Sequence, residues 1–122
     1  MHIEPPWDIR ERTFQFACDI VRFCRQLSKD PSCRHIAWQL QDAGTSVGAN
    51  CEEAKSAYSR REFAVKNCIC LKESRESAFW LRVIIACELT PNPEARRLLQ
   101  EAGELIGIFT ATVRSARRPQ SP

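Results

Sequence analysis

The sequence predicts an all-α protein, an antiparallel up-down-up-down four-helix bundle. Three observations point there. Apolar residues recur at helical spacing along nearly the whole chain, whereas period-2 runs and Asn-Gly or Asp-Gly hairpin signals are nearly absent. Only four glycines occur, and the seven prolines sit mainly at the ends and at two inter-helix points, which favours long uninterrupted elements. All three connections are short, and short connections between helices make antiparallel neighbours. The 122 residues suit one domain, 1–122, with helices at about 8–28, 33–56, 60–88 and 93–118.

The first helix starts at Asp8 or Thr13. Asp8 and Glu11 have capping-box spacing, and Pro5-Pro6 hold the preceding chain extended. Its stripe is Ala17, Ile20, Val21, Cys24 and Leu27, and Lys29-Asp30-Pro31-Ser32 ends it. The second helix places Ile36, Leu40, Ala43, Val47, Cys51 and Ala54 on one face. Gly44 and Gly48 lie beside that face, where another backbone has room to approach. Gln39, Ser46, Asn50 and Glu53 form a polar stripe on the flank.

The third helix opens with a second capping box, Ser59 to Glu62. Its apolar residues, among them Phe63, Val65, Cys68, Ile69, Leu71, Phe79, Trp80, Leu81, Val83 and Ile84, surround the axis. A helix apolar all round requires burial on more than one face, so the excess predicts a subunit interface. The fourth begins at Asn92-Pro93-Glu94, with an N-cap, a proline at the first helical position and an acid in the first turn. Ala95, Leu98, Leu99, Ala102, Leu105, Ile106, Phe109, Val113 and Ala116 form its stripe. Arg114, Arg117 and Arg118 place cations where the helix dipole favours them, and Pro119 to Pro122 form a tail.

Composition narrows the function classes. The net charge of +3 permits an acidic or nucleic-acid partner without demanding one. No apolar run is long enough to span a membrane, and the N-terminus lacks the pattern of a secretory signal, so a cytoplasmic location is expected. The seven cysteines are an odd number with no C-x-x-C pair, which reads as reduced, mostly buried thiols. Cys68 and Cys70 diverge by about 200° on a helix and cannot share a metal. No Gly-rich phosphate loop, G-x-S-x-G or H-E-x-x-H occurs, so no enzyme and no cofactor is expected. Di-iron bundles need Glu-x-x-His pairs, whereas Glu73 is followed by Ser74-Arg75-Glu76, and His2 and His35 are badly placed. No metal site is expected.

The most informative stretch is Thr45 to Ala54. It lies inside a helical pattern yet contains Gly48, which costs about 1 kcal/mol against alanine in a helix interior, and Asn50. Such a helix gains close packing or a specific polar contact in return. Ser46-Val47-Gly48-Ala49-Asn50-x-x-Glu53 resembles the S-[IV]-G-A-N-x-x-E segment of the four-helix-bundle proteins known as 23S rRNA intervening-sequence or S23-type proteins. A second match is Ser59-x-x-Glu62-Phe63 followed by Leu71-Lys72-Glu73-Ser74-Arg75-Glu76-Ser77-Ala78-Phe79-Trp80-Leu81, with Ser77-Ala78-Phe79 in place of the commoner Thr-x-Tyr pattern. The resemblance covers roughly residues 8–117. It implies a ring-like homopentamer, and a link either to ribosomal RNA genes or to the accessory variability determinants of diversity-generating retroelements, which act with nucleic acid and a reverse transcriptase.

Two residue sets are therefore singled out. Ser46, Gly48, Asn50, Glu53, Glu73, Glu76 and Trp80 are expected to fix packing, with the carboxylates paired across helices to Lys66, Lys72, Arg75, Ser46 or Asn50. Arg60, Arg61 and Lys66 at the start of the third helix, and Arg114, Arg117 and Arg118 at the end of the fourth, are the candidate nucleic-acid contacts. Tyr58 is the only aromatic near them, so backbone binding with little sequence readout is expected. The expected partners are further copies of the chain, RNA or DNA, and a nucleic-acid enzyme such as a reverse transcriptase. The rival reading is an adaptor without nucleic-acid contact. Trp38, opposite the core face, is a candidate intersubunit contact, and Trp7 a candidate staple for the first helix.

Overall fold

The computed structural model describes residues 8–119. The expected roles of Pro5, Pro6 and Trp7 lie outside the described residues. Four α-helices follow one another: α1 (Ile9–Leu27), α2 (Arg34–Lys55), α3 (Arg60–Ala86) and α4 (Glu94–Ala116), with a short 3-10 turn at Pro31–Cys33 before α2. Each helix packs antiparallel on the next. The bundle closes only weakly between α1 and α4.

The helix starts follow the sequence signals. The Asp8 side chain accepts from the Arg10 N–H at 3.1 Å, so α1 begins there and not at Thr13. Ser59 Oγ accepts from the Glu62 N–H at 3.1 Å, while Glu62 Oε2 accepts from the Tyr58 N–H at 2.7 Å. The box therefore closes one residue early. Asn92 Oδ1 accepts from the Glu94 N–H at 2.9 Å, but α4 starts one residue later than expected, at Glu94, with Pro93 as its N-cap. The end of α3 falls two residues before its expected place. Glu88 adopts a left-handed φ of 52°, the Leu89 N–H reaches Ile84 O at 3.1 Å, and the Glu88 N–H reaches Ile85 O at 3.1 Å. That is a Schellman closure with glutamate where glycine is usual, so the sequence carried no stop signal.

The core stripes are shifted in two helices. On α1 the buried residues are Thr13, Phe16, Ile20, Phe23, Cys24 and Leu27. Ala17 and Val21 sit half-buried at the edge, because the large rings of Phe16 and Phe23 rotate the stripe toward themselves. On α2, Ala37 takes the buried place expected of Ile36, which only flanks the core. On α4, Ala95, Leu98, Ala102, Leu105, Phe109 and Val113 are buried as expected, whereas Leu99, Ile106 and Ala116 are only half-buried at the edge.

The α3 helix departs most from expectation. Its buried face is Asn67, Cys70, Ser74, Ser77, Leu81 and Ile84. Small polar residues occupy its middle, and they are satisfied within the helix. Ser74 Oγ donates to Cys70 O and Ser77 Oγ to Glu73 O, both at 2.8 Å, and Asn67 Nδ2 donates to Phe63 O at 2.9 Å. Small side chains let α2 and α4 both come close to α3. Larger residues are displaced outward, and Val65 and Phe79 are half exposed.

Two features hold α1 in place. Gly44 and Gly48 turn toward it. A Cβ at Gly48 would meet Thr13 O at 3.3 Å, so the expected close backbone approach occurs, and a Cβ at Gly44 would lie 2.9 Å from two side-chain carbons of Ile20. On the other side, the Arg12 guanidinium bridges to α4. Its Nε and Nη2 donate to the two Glu101 carboxylate oxygens at 2.7 Å each, and Nη2 also reaches Glu104. Arg97 completes the seam through Asp19 Oδ2 at 2.9 Å. Charge-assisted forks of this kind are the stronger class of hydrogen bond, and here they stand in for the thin apolar contact between α1 and α4.

Candidate nucleic-acid interface

The antiparallel topology brings the start of α3 and the end of α4 to one end of the bundle. Arg60 makes that junction. Its Nε donates to Ala116 O at 3.0 Å and its Nη2 to Ser115 O at 3.2 Å and Arg118 O at 2.9 Å. Ala116 O is a carbonyl that the helix end leaves without an intrahelical partner, and the guanidinium also meets the negative end of the α4 dipole. Arg60 is thus committed to holding α4, not free for a ligand. Arg61 and Arg117 line one shallow depression, while Arg114, Arg117 and Arg118 line its neighbour. Arg117 Nη2 lies 3.0 Å from Cys68 Sγ, which draws it over the outer side of α3.

Lys66 leaves the group. It turns to the α2 side and pairs with Glu53 Oε1 at 2.6 Å. The hydrogen bond to Glu53 raises the Lys66 pKa above its ordinary value. The interface at this end is accordingly Arg61, Arg114, Arg117 and Arg118. None of these four forms an ion pair among the described residues.

Of the packing set, only Glu53–Lys66 joins two helices as expected. Asn50 Nδ2 donates to Ser46 O at 2.9 Å, inside its own helix, and Trp80 Nε1 donates to Glu76 Oε2 at 3.2 Å, one turn away. Glu73 has no cation within ion-pair distance among the described residues. The expected cross-helix network is reduced to one pair because Lys72 and Arg75 project to solvent on the outer face of α3. Partial burial raises the Glu73 pKa, Glu76 and Asp42 add to the rise, and Lys72 opposes it. A carboxyl whose folded pKa is raised loses folded-state stability as pH climbs through the carboxylate range. Glu73→Gln will therefore be more stable than the parent at neutral pH, and thermal melts of the two will converge in acid, where Glu73 is protonated. A variant less stable than the parent at neutral pH would contradict this account.

All seven cysteines are free, with Cys24, Cys33, Cys51 and Cys70 buried. Burial pushes the thiols of Cys24 and Cys70 up to about 12. Among the described residues, no group of three His, Cys, Asp or Glu is arranged to hold a metal, and no helix is long and apolar enough to cross a membrane.

Three exposed cations beyond the expected set, Lys72, Arg75 and Arg82, lie along α3. Their spacing from Arg61 follows the helical period, but apolar residues lie between them in the sequence, which gives the segment the pattern of a core stripe.

Comparison with known proteins agrees with the motifs. Residues 7–111 match the family model described as 23S rRNA-intervening sequence protein. A crystal structure at 1.70 Å, described as a protein with unknown function from the S23 ribosomal protein family of Bacteroides thetaiotaomicron, is similar to this chain with a TM-score of 0.81 and 27% identity. The match covers 87% of this chain and 98% of that one. No curated protein matches.

Proposed function

The chain belongs to the 23S rRNA-intervening sequence protein family, and on that premise we propose a non-enzymatic protein that self-associates as a ring-like homopentamer. Its cationic end binds the backbone of RNA or DNA, alone or together with a nucleic-acid enzyme such as a reverse transcriptase. The reading is carried by one observation: Arg61, Arg114, Arg117 and Arg118 converge at one end of the bundle without carboxylate partners among the described residues. Unpaired guanidinium groups release counterions from a phosphate backbone, and this term dominates non-specific affinity. A ring presents the same end several times, so weak contacts gain through effective concentration. Self-association is supported by Phe14 and Trp38, 55% and 66% exposed on α1 and α2, which a solitary subunit would leave in water.

The test is salt-dependent binding. Fluorescence anisotropy with mixed-sequence RNA and DNA will show affinity falling as salt rises. The variant R114A/R117A/R118A will bind about tenfold more weakly, with a salt slope shallower by about 2–3, as expected from the loss of three phosphate contacts. Its circular dichroism will match the parent. Absence of binding by the parent at low salt would leave the adaptor reading in place. A single subunit by sedimentation in dilute solution would remove the multivalent part.

A further inference from the structure

The outer face of α3 is a continuous cationic track. Arg61, Val65, Cys68, Lys72, Arg75, Phe79 and Arg82 follow one another at steps of three and four residues, the spacing that keeps side chains on one side of a helix. The face opposite the buried Cys70, Ser74, Ser77 and Leu81 is therefore this one. Arg61, Lys72, Arg75 and Arg82 are all exposed, and none has an ion-pair partner among the described residues. Of the carboxylates on the same helix, Glu76 borders the stripe one turn beyond Lys72 and accepts from the Trp80 indole, while Glu73 lies on the side of Asp42 of α2. From Arg61 to Arg82 the track is about 32 Å long at the helical rise. Arg117, reaching Cys68 Sγ at 3.0 Å, joins it to the cationic end of α4.

One residue on this track distinguishes the kind of polyanion. Phe79 is 52% exposed, one turn from Arg75 on one side and from Arg82 on the other. Its ring and that of Trp80 form a T-shaped pair, with centroids 5.0 Å apart and planes at 75°. An apolar ring fixed between two cations presents a π-face beside phosphate-binding groups. Duplex bases are stacked on each other and cannot use such a face. Unpaired bases can, which is how proteins hold single strands with little sequence preference. An exposed aromatic beside the basic residues, in addition to Tyr58, is thus present on α3. Lys72 and Arg75, three residues apart, also repel one another, and a bound phosphate would relieve that cost.

We propose that the outer face of α3 binds single-stranded nucleic acid, with Arg61, Lys72, Arg75 and Arg82 meeting phosphates at intervals along the strand and Phe79 stacked against a base. This deepens the nucleic-acid reading above and rests on it. The experiment compares the parent, K72A/R75A/R82A and Phe79→Ala for binding to a mixed-sequence single-stranded RNA and to the same sequence as a duplex. Sedimentation of each variant is run alongside. The parent will prefer the single strand. The triple variant will lose about tenfold or more in affinity, with a salt slope shallower by about 2 for three lost contacts to a single strand. Phe79→Ala will weaken single-strand binding about tenfold, in the range of one lost base stack, and leave duplex binding unchanged.

If the parent binds no nucleic acid, the broader reading fails and the track with it. If the parent binds and the triple variant binds equally well, the α3 track alone is overturned. Equal loss of single-strand and duplex binding in Phe79→Ala would overturn the stacking role. Dissociation of the assembly in the triple variant would instead make the α3 face a contact between copies of the chain, and would overturn the proposal.

Discussion

Gly44→Leu will destabilise the protein by about 1–3 kcal/mol, the range for overpacking a tight core, measured by urea denaturation. The position sits where α2 crosses α1. A Cβ there would lie 2.9 Å from Cγ1 and Cγ2 of Ile20 and 3.2 Å from its Cβ. Ile20 is fully buried and β-branched, so it has essentially one side-chain rotamer in a helix and cannot swing aside. Either the helices separate or the core around Leu40 and Val47 opens. The helix-propensity gain from removing glycine, about 1 kcal/mol, offsets only part of the cost. Gly103 provides the control. Nothing lies within 4 Å of where its Cβ would stand, so Gly103→Ala will be stabilising, by about 0.5–1 kcal/mol. If Gly44→Leu proves as stable as the parent, the close α1–α2 crossing is wrong.

Phe109→Ala will cost about 3–5 kcal/mol, the range for deleting a buried phenyl group. Phe109 is 1% exposed and is one of the two largest fully buried side chains, with Phe16. It lies in the half of α4 that leads to Arg114, Arg117 and Arg118, with Val113 one turn further on. The loss will therefore reach the candidate interface as well as global stability. Amide exchange across residues 110–118 will accelerate more than across α2, and nucleic-acid affinity will fall although no cation has been removed. A local effect confined to residues near 109, with residues 114–118 still protected, would show that Arg60 alone is enough to anchor the end of α4.

Much of this was open to a reader of the chain. Helix number, order and direction follow from spacing and from short connections, and the caps at Asp8 and Ser59 are local chemistry. So is the choice of small residues in the Gly44–Gly48 segment. The errors arose where neighbours matter. Stripes on α1 rotated because Phe16 and Phe23 outweigh Ala17 and Val21 in buried area. The end of α3 was missed because Glu88 takes a conformation that the sequence signals only with glycine. The α3 wheel looked apolar all round, yet Ser74 and Ser77 went inward. Small hydroxyls bonded to their own helix pack more closely than the rings around them.

The candidate interface divides in the same way. That the start of α3 and the end of α4 share one end follows from an up-down topology, so Arg61, Arg114, Arg117 and Arg118 could be grouped in advance. That Arg60 would be drawn into capping, and that Lys66 would turn away to Glu53, depended on which carbonyls and carboxylates came within reach. Arg12 had no sequence signal for its role. Its partners, Glu101 and Glu104, are 89 and 92 residues away.

The amino-acid order by itself determined the four helices, their antiparallel succession and the family, because periodicity, capping and motif spacing act over a few residues. Only the tertiary structure decided which cations remain free, which aromatic stays in water and which glycine carries the tightest contact. Those outcomes depend on distances between residues remote in the chain, and a hydrogen bond or steric overlap changes sign within an ångström.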